Sequence, residues 1–154
     1  MAHRGMVHAL HEAHRVLKPN GVLIDLRPAA VHRQVGVGHS SQYRLLGVMR
    51  EGFDDDYAAT RAVATVVRQG LFKADGRERF ECNRTMDSLA EFRVWLDEFV
   101  SLGKLPSHSW LVRRVAQALH VGHAKMKIVV RGPLDLRVLR KRVSAVRGVG
   151  SAKR

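Results

Sequence analysis

A helix that is stopped, reversed and run straight into an apolar strand constrains this chain more than any other feature. Met6, Leu10, Ala13 and Leu17 recur at three- and four-residue spacing and so form one helical stripe, with Glu12 and Arg15 outside it. Pro19 cannot continue that helix and biases Lys18 away from helical angles. Asn20 and Gly21 are the residue types that best tolerate positive φ, so the chain can reverse there. Val22, Leu23, Ile24 and Leu26 then make a near-continuous apolar run. Such a run suits a strand covered on both faces, as in a parallel α/β sheet, and the fold class expected is α/β.

The remaining pattern alternates strands and helices. Val31 to Val37 and Gln42 to Arg50 read as two strands, with the hairpin-loop composition Gly38-His39-Ser40-Ser41 between them. Gly36 and Gly38 form a Gly-x-Gly without the further glycine and helix start of a dinucleotide loop, so a loop or bulge is the plainer reading. Gly52-Phe53-Asp54-Asp55-Asp56 opens a helix that runs to about Gln69 and ends at Gly70. Lys73 to Gly76 reads as a polar loop, and Glu78 to Met86 as a strand by its alternation. Asp87 or Ser88 caps a helix with Leu89, Phe92, Leu96, Phe99 and Val100, in which Trp95 is core or a partner contact. Gly103 and Pro106 break the chain, and Ser107 can cap a helix with Leu111, Val115, Ala118 and Leu119. Lys125 to Arg131 is a strand, and Pro133 starts a basic helix with Leu136, Leu139, Val143 and Val146. Residues 1–147 are expected to form one domain, and 148–154 a disordered basic tail.

Composition narrows the class. A chain of 154 residues with 45% hydrophobic content can bury a core and is not a disordered polymer. There is no apolar run of transmembrane length and no secretory signal at the N-terminus. One cysteine, Cys82, cannot make an internal disulfide, which fits a reducing cytoplasm. The net charge of +13 favours polyanionic partners. Its densest part runs from Arg131 to Arg154, with eight basic residues and the single acid Asp135. A basic C-terminal helix could therefore meet nucleic acid, although no reading motif accompanies it.

Few side chains gather into catalytic patterns. His11 and His14 can share a helix face, but no carboxylate completes a zinc-binding His-Glu-x-x-His. Asp54, Asp55 and Asp56 are helix-capping charges before they are metal ligands, because three consecutive helical side chains do not converge. His108, His120 and His123 flank a helix and read as surface residues or caps, and Cys82 as a small buried hydrophobe rather than a nucleophile.

The unit Arg15-Val16-Leu17-Lys18-Pro19-Asn20-Gly21 followed by Val22 to Pro28 resembles the segment around the fifth strand of class I S-adenosylmethionine-dependent methyltransferases. Asn20 stands where that family usually has glycine. The resemblance implies the back half of a Rossmann-like methyltransferase fold, with an added hairpin at Val31 to Arg50. Glu78 to Met86 and Lys125 to Arg131 would be the antiparallel pair that finishes the sheet. It further implies that Asp25, Arg27 and Pro28, at the strand end, face the substrate side. Asp25 has the alternative of an ordinary strand-end residue. The family's glycine-rich cofactor loop and strand-end acid have no counterpart here. No cofactor is therefore expected on this chain alone, although the complete family binds S-adenosylmethionine. A homodimer, or a second chain supplying the missing half, follows as the expected partner. The other reading is a small basic binding module for nucleic acid or another polyanion, without catalysis.

Overall fold

The computed structural model describes residues 2–39, 42–102, 108–121 and 126–143. In chain order these form α1 (Ala2–Val16), β1 (Val22–Pro28), β2 (Gln34–His39), β3 (Gln42–Val48), α2 (Asp54–Arg68), β4 (Phe72–Met86), α3 (Leu89–Ser101), α4 (Ser109–Val121) and β5 (Lys127–Lys141). The fold is α/β, with a five-stranded antiparallel open sheet. The strand order is β1-β5-β2-β3, and β4 also pairs with β5. No described helix is long and apolar enough to cross a membrane.

Two compact units divide the described residues. The first takes the chain up to Asp25, then Ala58–Arg77, then the chain from Arg137. Its core joins Val63 and Val66 of α2 to Phe72 and Leu139, with Leu10, Leu17 and Leu23 packed around them. The second takes Leu26–Tyr57 and Glu78–Leu136. Its core is larger and sets Phe92, Trp95 and Leu96 of α3 and Leu111 and Val115 of α4 against Val35, Ile128 and Val130 of the sheet.

Local chemistry explains the well-read boundaries. Asn20 takes φ 61, the left-handed conformation that closes the turn before β1. Gly70 takes φ 76 beyond the end of α2. Ser88 caps α3: its hydroxyl accepts from Glu91 N–H at 3.1 Å, and the Glu91 carboxylate accepts from Asp87 N–H at 3.1 Å. Gly36 sits at an irregularity in the β2–β3 register, the bulge that its composition suggested.

Four expectations change. First, β1 is not covered on both faces. Val22, Ile24 and Leu26 are 39%, 62% and 53% exposed, and β1 is the outermost strand of the sheet order. The fully covered strand is β2, whose Val35, Gly36, Val37 and Gly38 are all buried. Second, Lys73 to Gly76 is not a loop but part of β4, where Arg140 grips Asp75 at 2.6 Å. Third, Pro133 starts no helix, because β5 continues unbroken to Lys141. The leucine spacing fits a helix locally, yet ladder bonds on either side of β5 outweigh it. Ala29 N–H donates to Pro133 O at 2.9 Å, Lys141 N–H to Gly21 O at 2.8 Å, and Arg142 N–H to Leu71 O at 2.9 Å. Fourth, of the surface or cap roles expected for His108 only the cap stands: it is 7% exposed, and its carbonyl accepts from Leu111 N–H at 2.9 Å and Val112 N–H at 3.2 Å at the start of α4. Ser40, Ser41, Gly103, Pro106, Ser107, His123, Val146 and the tail 148–154 lie outside the described residues.

Each unit depends on one fully buried phenylalanine, Phe72 in the first and Phe92 in the second. Phe72→Ala and Phe92→Ala should each cost about 3–5 kcal/mol, read as a lowered urea midpoint at unchanged slope.

Candidate functional site

The end of β1 opens onto a groove within the second unit. A cavity of about 360 Å³ is lined there by Pro28, Arg33, Cys82, Arg84, Trp95, Phe99 and Gly132, among others. Its aromatic wall comes from α3, where Trp95 and Phe99 are four residues apart and so share a face. Their rings lie 4.8 Å apart at a 58° tilt. Each ring carries a cation: Arg33 at 4.9 Å from the Phe99 centroid, and Arg84 at 5.9 Å from that of Trp95.

The two arginines differ in their bonding. Arg33 is locked, because its guanidinium is ion-paired to Glu51, whose side chain is 7% exposed. The Arg33 backbone N–H also donates to Glu51 at 3.3 Å, and Arg33 O accepts from Met49 N–H at 2.8 Å. Glycine at 132 makes room for this side chain, since a Cβ there would meet the Arg33 stem at 3.0 Å. Arg84 has no carboxylate partner among the described residues and keeps its charge at the groove wall. The groove thus offers an angled aromatic wall with the Arg84 cation beside it. It can bind and orient an apolar body that carries negative charge. Among the described residues no histidine or carboxylate lines it, so of these Cys82 alone could take part in proton transfer there.

The three strand-end candidates separate here. Pro28 lines the groove. Arg27 instead donates from Nη1 to Asp56 O at 3.0 Å, which ties it to the first turn of α2. Asp25 belongs to the first unit and is already engaged by a partner of its own. Cys82 is exposed at the groove, not buried as expected, as is every β4 residue from Lys73 to Thr85. Arg33, Arg84, Trp95 and Phe99 were not singled out as site residues. The paired aromatics were legible at helical spacing, whereas the arginines converge only through the strand pairing.

The amino-terminal histidines lead separate lives. His11 Nε2 lies 3.0 Å from Gln69 Oε1, and the His14 ring meets Phe72 edge-on at 5.3 Å. Both contacts fasten α1 within the first unit.

No protein-family model, no curated protein and no solved structure matches this chain.

An exposed Cys82 should react fully with Ellman's reagent in the absence of denaturant, releasing one equivalent of thiolate per chain. A thiol that reacts only after unfolding would contradict this placement.

Proposed function

We propose that these residues form the closing part of a class I S-adenosylmethionine-dependent methyltransferase-like sheet and do not transfer methyl groups by themselves. The cofactor-binding strands would come from other residues, on a second chain in the simplest case. One observation carries the reading. β1, the strand of the methyltransferase-like unit, is outermost in the sheet order and bares the apolar stripe Val22, Ile24 and Leu26. An outermost strand with an apolar face is a template for pairing, and soluble chains seldom leave such a strand uncovered. The pairing of β4 with β5, and the succession of α3 and α4 between them, also agree with the antiparallel pair that ends that family's sheet.

The cofactor itself does not fit the residues present. Gly36 to Gly38, the only Gly-x-Gly among the described residues, is closed by protein: a Cβ at Gly36 would meet the Tyr43 ring at 2.6 Å. Its backbone is paired within the β2–β3 ladder and forms no cradle of free N–H groups. No reaction step is therefore assigned to these residues.

The polyanion reading loses its carrier, because the basic helix expected after Pro133 is strand. Several of its charges are engaged: Arg140 with Asp75, and Lys141 Nζ with Leu17 O at 2.6 Å. The hairpin of β2 and β3 joins the sheet at β5 and does not lie along the outer side of β1.

Two measurements test the proposal. Calorimetric titration with S-adenosylmethionine should show no saturable binding at micromolar concentration, and saturable binding would overturn it. Light scattering at micromolar concentration should report a dimer, and Ile24→Lys should shift it towards monomer by placing a charge on the bare stripe. A clean, soluble wild-type monomer argues against pairing through β1.

A further inference from the structure

The second unit holds another cavity, of about 440 Å³, whose lining includes His32, Gln34, Glu81, Asn83, Arg131 and Pro133. In β4 and β5, Glu81 and Arg131 alternate with the Cys82, Arg84, Val130 and Gly132 that line the first groove, while Asn83 and Pro133 line both. Successive strand residues point to opposite faces, so Glu81 and Arg131 are turned away from the face that presents Cys82, Arg84, Val130 and Gly132.

Arg131 is held in place without being neutralised. Its guanidinium carbon lies 3.6 Å from the Tyr43 ring centroid. That ring fits because residue 36 is glycine. Arg131 Nε is buried without a hydrogen-bond partner. No carboxylate pairs with Arg131 among the described residues. Because solvent does not reach Nε, a ligand in the cavity would meet the outer Nη nitrogens of this guanidinium. Glu81 lines the same cavity and is likewise without an ion-pair partner among the described residues. A cation and a carboxylate thus share one cavity without closing on each other.

Neutral donors complete the wall. His32 is tilted against Phe53 at 4.9 Å, and its Nδ1 accepts from Glu51 N–H at 3.2 Å. In the neutral ring the proton then sits on Nε2, which becomes a donor. Gln34 and Asn83 add side-chain amides. Burial pushes the Tyr43 phenol above its ordinary range, against the opposing effect of Arg131, so the supporting ring stays neutral at pH 7.

We infer that this cavity binds a small zwitterion, an α-amino acid, with its carboxylate on Arg131 and its ammonium on Glu81. A guanidinium fork matches a planar carboxylate, and the Asn83, Gln34 and His32 donors supply further hydrogen bonds. Pro133 offers an apolar wall for the side chain. Phosphate suits the site less well, because its second negative charge would face Glu81 without compensation. Every residue invoked belongs to the second unit, so the site requires neither S-adenosylmethionine nor a second chain.

The test is a titration of the full chain with L-leucine, followed by NMR at the Arg131 Nε–H and Tyr43 ring signals. Saturable shifts are expected. N-acetyl-L-leucine, which keeps only the carboxylate charge, and L-leucine methyl ester, which keeps only the ammonium, should each bind about tenfold more weakly or worse. Arg131→Gln should abolish the shifts of the Tyr43 ring. Glu81→Gln, on an exposed strand face, should leave the fold intact and weaken leucine about tenfold while sparing N-acetyl-L-leucine. The inference is overturned if leucine gives no saturable shift, if N-acetyl-L-leucine or inorganic phosphate binds as tightly as leucine, or if Glu81→Gln has no effect.

Discussion

The backbone ladder of β5 is the constraint on which the rest depends. It is 15 residues long and contributes to both compact units. β2 pairs with its first part, from Gly38↔Lys127 to Gln34↔Arg131. β1 takes up the later part, where Ala29 N–H donates to Pro133 O and Lys141 N–H to Gly21 O. Pro133 has no N–H to give, and it falls at the changeover between β2 and β1. A proline a few residues to either side would remove a ladder bond. Here the missing donor falls at the changeover, where the Pro133 carbonyl still accepts from Ala29 N–H.

Pairing along β4 and β5 also explains where the charges go. Asp135, 6% exposed, is gripped by Arg79 through two bonds of 2.7 and 3.1 Å. That hydrogen bonding, with the Asp135 charge, raises the Arg79 pKa above its ordinary value. Arg140 and Asp75 pair in the same manner, and Lys127 reaches Asp87 at 3.0 Å. The excess of positive charge is thus partly absorbed as cross-strand pairing. Arg84 and Arg131, without a carboxylate partner among the described residues, line the two cavities. The distribution of ion pairs therefore says more about ligands than the net charge does.

Glycine makes room beside two cavity arginines, Arg131 and Arg33. Gly36 admits the Tyr43 ring beneath Arg131, and Gly132 admits the stem of Arg33 beside Phe99. Alanine at either position would press on a ring or an alkyl stem at 2.6 to 3.0 Å. Each glycine thus acts at a distance, by setting how a cation is presented to a cavity wall.

Short-range signals were legible in the sequence wherever one local cause decides the outcome. Asn20 and Gly70 mark real turns because few residue types accept a positive φ, and Ser88 marks a real cap because its hydroxyl reaches an amide three residues on. Helical stripes at Leu10, Phe92 and Leu111 were read correctly because burial of one face selects a period of 3.6. The sequence by itself determined the turns at Asn20 and Gly70, the Ser88 cap and the four described helices. Tertiary structure decided that Lys73 to Gly76 and Pro133 to Lys141 are strand, that β1 lies outermost with Ile24 bare, and that Cys82 is exposed. Both cavities were likewise settled only there. The reason is physical: a ladder bond joins residues such as Arg142 and Leu71, far apart in the chain, and local spacing carries no record of which strand will lie alongside.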